Sequence, residues 1–256
     1  MTDAADGRDD PLFVASIEKA MRVMAAFGEA RPEMGLQELA RASGLDKSAA
    51  QRYAHTLHRL GYLAKDKHTR QYRPTLRSVE MANAYLWSDP LVRAAMPKLI
   101  ELRQMLGETI NLSRLDGPDI VYVVRLPSAR TSYGAMIVGR RVPALNTSSG
   151  RSIVGTFPEG EREAAVRSWR IGSFTPKTQT DRAAIGTLVE RAARLGYSIS
   201  RDELMLNEIG VAAPVSESEK RGVAAVHCSL SALKWSDREI ERKIVPALLD
   251  VTQSLS

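Results

Sequence analysis

The stretch LQELARASGLDKSAAQRYAHTLHRLGYLAKDKHTRQYRP, from Leu36 to Pro74, decides the fold. It predicts a short helix, a tight turn, a longer helix from Asp46 to Leu60, and then a small basic hairpin. In the longer helix Ala49, Ala50, Tyr53, Ala54, Leu57 and Leu60 recur at helical spacing and should form a buried stripe. Ser48, Gln51, Arg52, His55 and Arg59 gather on the opposite side. That side consists of hydrogen-bond donors. The major groove of B-DNA admits one helix and presents acceptors on its purines, so these are the residue types able to read it. An ordinary amphipathic helix with a solvated polar face would show the same pattern, but its neighbours argue for more. Ala40 and Gly44 are small where two helices joined by a short turn must approach closely. Asp46 suits the N-cap of the second helix. After Gly61, alternation from Tyr62 to Arg73 predicts a hairpin whose tip holds Lys67, His68, Thr69 and Arg70. The whole reads as a winged helix-turn-helix.

Charge supports a nucleic-acid partner. From Arg41 to Arg77 nine Lys or Arg stand against two acids, a net of +7, while the whole chain is +6, so the remainder is −1. The basicity is local, as a DNA footprint requires. Lys47, Ser48, Gln51, Arg52 and His55 are the expected major-groove surface. Thr69, Arg70 and Arg73 on the wing, with Tyr53, are expected on phosphates, which fix register without reading sequence.

At 256 residues there is room for two domains of ordinary size. The single cysteine, Cys228, excludes an internal disulfide framework and a multi-cysteine zinc site, and suits a reducing cytoplasm. Met1 to Asp10 is acidic and polar, unlike a secretory signal, and no apolar run approaches the ~20 residues that span a bilayer. The expectation is a cytoplasmic protein without a membrane partner.

Along the chain, residues 1–12 read as a disordered tail, 13–75 as the winged helix-turn-helix, 76–107 as a helical connector and 108–256 as an α/β domain. Ile17, Ala20, Met21, Met24 and Phe27 should give the apolar face of a first helix. The connector holds a helix from Leu76 to Leu86 and another from Pro90 to Leu106, stopped by Gly107 and bent at Pro97. Two strands joined by Asp116-Gly-Pro-Asp119 follow, then a third apolar run at Ala135 to Val138. Helices are expected at 150–156 and 159–169, and around Ile185 to Leu195. Strands are expected at 211–215 and 223–230, and a last helix after an Asp237 cap.

In the C-terminal part, polar groups on apolar strands are the signal for a ligand pocket. His227 and Ser229 occupy alternate positions and share a face; a histidine bonded to backbone in the core is the plainer reading of His227. Ser149 and Gly150 either cap the helix they open or offer its N-terminus to an anion. A catalytic reading finds no support: three of the four histidines, His55, His58 and His68, lie in the DNA module, and there is no nucleophile elbow, phosphate loop or HExxH pair. No enzyme activity, cofactor or metal is expected.

Several separated pieces together resemble the IclR-type bacterial transcriptional regulators: SIEKAMRVMAAF, KSAAQRYAHTLHRLGYL with TRQYRPT, ETINLSRLDGPDIVYVVRL, VGRRVPALNTSSGRSIVG, RLGYSISRDELMLNEIGVAAPV and GVAAVHCSLSA. The resemblance runs from about Phe13 to the C-terminus and is similar in its wing and recognition helix to the branch controlling aromatic-acid catabolism. It implies an α+β chain in which the winged helix-turn-helix joins a GAF-like effector domain, assembled as a homodimer or homotetramer on a palindromic operator in double-stranded DNA. It implies a small-molecule effector, an aromatic or small organic acid, held by residues matching His227 and Ser229 and by the segments carrying Tyr133, Met136, Ser149, Gly150, Ser200, Glu208 and Gly210. Glu208, if turned inward, disfavours a carboxylate. The competing expectation is a dimeric architectural DNA-binding protein with no effector, whose interior beside His227 would be collapsed and apolar.

Overall fold

The computed structural model describes residues 10–128, 138–217 and 221–256. The chain divides into two compact units, one ending at Ser88 and the other beginning at Asp89.

The first unit holds α1 (Ala15–Ala25), α2 (Leu36–Ser43), α3 (Lys47–Arg59), β1 (Leu63–Lys65), β2 (Tyr72–Pro74) and α4 (Leu76–Ser88). Val23, Met34, Leu39, Ala54, Leu57, Leu63 and Tyr72 close its core. The turn between α2 and α3 is as tight as its sequence demands. Gly44 adopts φ +64°, its N–H capping α2, and a Cβ there would meet Arg22 Nη2 at 2.6 Å. The Asp46 carboxylate accepts from Ala49 N at 2.8 Å and starts α3. Leu60 is the exception in the expected stripe: it is 55% exposed, because it is the C-cap of α3, where the helical course that would carry it inward has ended. On α1 the buried stripe runs through Val23 and half-buried Ala20 and Met24, with half-buried Phe27 just beyond its end, whereas Ile17 and Met21, expected on that face, are exposed. α4 forms over Leu76–Ser88 with no buried residue.

The second unit begins with α5 (Pro90–Leu106), capped by Asp89 and continuous through Pro97. Then come β3 (Thr109–Asp116), β4 (Asp119–Leu126), β5 (Arg141–Pro143), α6 (Ser148–Gly155), α7 (Glu159–Ser168), α8 (Arg182–Leu195), β6 (Ser198–Arg201), β7 (Glu208–Ser216) and β8 (Gly222–Ser231). The strands form one antiparallel sheet in the order β5-β4-β3-β8-β7-β6. The expected run at 135–138 lies outside the described residues except for Val138; the strand found nearby is β5. Strand β6 was not foreseen, being four residues with three polar side chains. The final helical segment, α9 (Asp237–Glu239) running through a π turn into α10 (Val245–Gln253), is capped by Ser236 and not by Asp237. Ser236 and Glu239 form a reciprocal capping box, for which the acceptor must sit one residue earlier.

Helix α6 is buried along its whole length and packs on β7 and β8, where Ile153, Val154, Ala212 and Ala225 share a core with Ile120, Tyr122 and Leu145. Strand alternation sends Asn111, Ser113 and His227 to that same face, and Ile110, Leu112, Val226 and Cys228 to the other.

Candidate DNA-reading face and candidate effector site

Helix α3 buries Ala49, Ala50, Ala54 and Leu57 and leaves Lys47, Ser48, Gln51, Arg52 and His55 exposed. None of these five side chains has a hydrogen bond or ion pair among the described residues. That matters energetically: a donor already engaged within the protein would have to break that bond before reaching a base, and these do not. The structure therefore brings all five onto one open face. Tyr53 is half-buried at its border.

The wing is stiffened from within. Asp66 Oδ1 accepts from His68 N at 2.8 Å, Thr69 N at 2.7 Å and Thr69 Oγ1 at 3.1 Å. The Thr69 hydroxyl is thus spent on the turn, and its side chain has less to offer a phosphate than the sequence suggests. Arg70 and Arg73 are exposed with no ion pair among the described residues, and Arg70 sits at φ +62°.

In the second unit, polar side chains form a row across three strands. Arg125, Asn111 and His227 are register partners on β4, β3 and β8. Arg125 Nη1 donates to Asn111 Oδ1 at 3.1 Å, and since a guanidinium only donates, the amide orientation is set. Asn111 Nδ2 then donates to His227 Nδ1 at 2.9 Å. His227 is therefore the neutral tautomer with its proton on Nε2. Burial pushes its pKa down to about 4, and the Arg125 charge acts in the same direction. Its edge meets Tyr122, centroid to centroid 6.4 Å. The plain core reading of His227 fails on this point: its partner is a side chain, and its second nitrogen is presented to other polar groups.

Those groups surround Gly210. A Cβ on Gly210 would lie 2.7 Å from His227 Nε2, 2.8 Å from Ser200 Oγ and 3.0 Å from Ser148 Oγ, so three polar atoms from β8, β6 and α6 converge where only glycine leaves room. Ser148 and Ser149 are 1% and 0% exposed, and neither hydroxyl has a partner among the described residues. A buried orphan hydroxyl costs roughly 1–3 kcal/mol, which a bound ligand would recover. Gly150 opens the same helix, its N–H bound by the Thr147 cap at 2.9 Å; a Cβ there would fall 2.2 Å from Ala144 O, so its first role is close packing. Glu208 does turn inward. Burial raises its carboxyl above the usual range, against a hydrogen bond from Ser229 and the charges of Arg125 and Arg140. Ser200, Glu208, Gly210, His227 and Ser229 thus share one neighbourhood with Ser148, Ser149 and Gly150 are the next residues along α6, and Tyr133 and Met136 lie outside the described residues.

Sequence reasoning missed Asn111, Arg125, Ser148 and the buried pair behind them. Arg151, fully buried, donates from Nη1 and Nη2 to both carboxylate oxygens of Glu203 at 2.6 and 2.7 Å, and from Nε to Leu145 O at 2.8 Å. The pair ties α6, which carries Ser148, to the β6–β7 connection, which separates Ser200 from Glu208. An apolar-polar-apolar triplet on each buried strand, such as Ile110-Asn111-Leu112, was the available signal.

Among the described residues no group of three His, Cys, Asp or Glu side chains is placed to hold a metal ion, and no helix is long and apolar enough to cross a membrane. Comparison with known proteins agrees with the geometry. The family model for the bacterial transcriptional regulator IclR C-terminal region matches residues 83–256, and that for the IclR helix-turn-helix domain matches residues 16–67. The chain is 26% identical to the Pca regulon regulatory protein of Pseudomonas putida, over 96% of this chain and 84% of that one. It superposes on the crystal structure of a protein described as a transcriptional regulator from Rhodococcus sp. RHA1 with TM-score 0.81 and 30% identity, over 95% and 97% of the two chains. It shares its fold, at TM-score 0.75 and 21% identity over 94% and 97% of the chains, with an IclR homolog from Microbacterium hydrocarbonoxydans complexed with 4-hydroxybenzoate. The chain belongs to the IclR family of bacterial transcriptional regulators, with a helix-turn-helix DNA-binding unit followed by the family's α/β C-terminal domain.

Proposed function

We propose that this regulator reads a palindromic operator with Lys47, Ser48, Gln51, Arg52 and His55, grips phosphates with Arg70 and Arg73, and answers to a small organic acid, an aromatic one first, held around Gly210. In this reading 13–75 is the DNA-binding domain, 76–107 the connector and 108–256 the effector domain. The observation that carries the DNA half is the set of five donors on α3 left without a partner among the described residues. The effector half rests on the Ser148 hydroxyl, without a partner among the described residues, beside a histidine held as an Nε2–H donor. Glu208 does not forbid an acid, because the charges of Arg125 and Arg140 both act on it and leave the cluster net positive. The solved homolog that holds 4-hydroxybenzoate supports an aromatic acid as the first ligand to try. Polar groups gathered in the interior argue against a C-terminal domain that serves dimerisation alone.

The protein acts as a homo-oligomer in the cytoplasm, without a membrane partner and without catalysis of its own. Support for self-association comes from the first unit, where Phe13, Ile17, Met21, Val79, Met81 and Trp87 are all exposed apolar side chains that an interface would cover. The effector can shift operator binding only by its difference in affinity for the DNA-competent and incompetent states.

The test is fluorescence anisotropy on an operator selected from genomic fragments, titrated with 4-hydroxybenzoate and benzoate. The expected result is a change in operator affinity that Gly210→Ala abolishes, since the added methyl fills the point where His227, Ser200 and Ser148 meet. Unchanged affinity in the wild type with both acids overturns the acid assignment. Failure to select any fragment overturns the DNA reading.

A further inference from the structure

A cavity lies against the outer edge of β6, and Gly210 is not among its lining residues. Its volume is about 370 Å3, within the range of small-molecule sites. The backbone register decides what it offers. Asp202 N donates to Glu208 O at 2.8 Å, and in an antiparallel ladder the bonded pairs recur every two residues, so Ser200 with Gly210 and Ser198 with Ala212 are the bonded pairs. The N–H and C=O of Ile199 and Arg201 therefore face outward from the last strand of the sheet, and no described residue takes them up. Leu188 and Ala192 of α8 supply an apolar wall.

Most charges lining this cavity are already matched. Lys177 binds Asp202 at 2.8 Å, Arg201 pairs with Asp237, and Glu203 is held by Arg151. Two are not. Arg191 on α8 and Glu241 on the final helical segment line the same cavity, and neither has an ion pair or hydrogen bond among the described residues. One unmatched cation, one unmatched carboxylate and a strip of unpaired N–H and C=O groups are the complement of a molecule that carries a carboxylate and an ammonium on one carbon.

We propose that this cavity binds a free α-amino acid, with the carboxylate at Arg191, the ammonium at Glu241, the backbone of Ile199 and Arg201 completing the hydrogen bonds, and the side chain against Leu188 and Ala192. The site is separate from the one around Gly210, although β6 serves both: Ser200 turns to Gly210, and Ile199 and Arg201 turn their side chains to the opposite face. Glu203 lines the cavity while its carboxylate holds Arg151 on α6, so an occupant would sit one side chain from the helix bearing Ser148.

The experiment is NMR on the full chain labelled at isoleucine methyls and histidine rings, the Ile199 signal assigned with Ile199→Val, titrated to millimolar concentration with each of the common L-amino acids. At least one should move the Ile199 methyl while leaving the His227 ring signals in place. Its N-acetyl and methyl-ester derivatives should bind roughly ten-fold more weakly, and Arg191→Ala and Glu241→Gln should each weaken it by a similar factor. Both residues are on the surface, so the variants fold. No shift at Ile199 with any amino acid overturns the proposal, as does a ligand that moves Ile199 equally well in both variants, or whose blocked derivatives bind as tightly. A shift confined to His227 overturns it too, assigning the amino acid to the other site.

Discussion

The open face of α3 and the polar row beneath α6 are built from similar donors and managed in opposite ways. Lys47, Gln51, Arg52 and His55 stand in solvent without partners among the described residues, where hydration satisfies them cheaply. Asn111, His227 and Arg151 are buried, where each missing partner is costly, so most polar atoms are committed and those that are not among the described residues, Ser113, Ser148 and Ser149 in this part of the domain, are conspicuous. An exposed reading surface tolerates many substitutions and loses only affinity. A buried recognition cluster cannot lose one member without disturbing the fold.

The sharpest way to test that contrast is at Arg151. Removing one partner of a buried bidentate pair leaves the other charge stranded, so Arg151→Met should lower unfolding free energy by about 3–5 kcal/mol, read from urea denaturation followed by circular dichroism. The double change Arg151→Met with Glu203→Gln should recover part of that loss. If the single variant unfolds at the wild-type midpoint, the pair carries no structural weight and the contrast breaks.

His227 comes next. Its pKa lies below the ordinary 6.5, at about 4, so between these values the unfolded chain holds a proton that the folded chain does not. Stability then falls as pH drops through that window, and the full penalty below pH 4 is roughly 3 kcal/mol. The contribution is intact above pH 6.5. His227→Gln should flatten the dependence between pH 6.5 and 4; an unaltered slope would mean that another group titrates there.

On the exposed side the effects are smaller and fall on binding. Arg52→Ala should leave the melting temperature near wild type and weaken operator binding by about 1–3 kcal/mol more than random duplex, if Arg52 reads a base. Equal loss on both duplexes would move it to the phosphates.

The same contrast explains what was legible beforehand. The winged helix-turn-helix is local: spacing, small residues at Ala40 and Gly44 and the Asp46 cap all act within a few residues, and α3 formed with the expected faces. His227 and Ser229 were legible from alternation. Their network was not, because Asn111 lies 116 residues from His227 and only strand pairing brings them together. The faces of α1 were read too broadly, since Ile17 and Met21 are as apolar as Val23 and only packing separates them. Leu60 and Asp237 failed by one residue at helix ends, where the choice between cap and helix depends on hydrogen bonds that composition does not display.

The wing gives the subtlest prediction. Arg70 is exposed, unpaired among the described residues, and presented by a turn that Asp66 holds from inside, so its backbone is set in place before any DNA arrives. A phosphate contact made this way shows less in affinity than in salt dependence: the slope of log K against log salt should fall by about one unit on losing it. Arg70→Ala keeps the left-handed backbone at φ +62° at the cost of about 1–2 kcal/mol that the arginine already bears, so it removes the charge without new strain. Arg70→Gly removes the same charge and frees that backbone. A slope reduced equally in both variants reports the lost charge; a slope reduced in the glycine variant alone reports a loosened wing, and an unchanged slope in both takes Arg70 off the DNA.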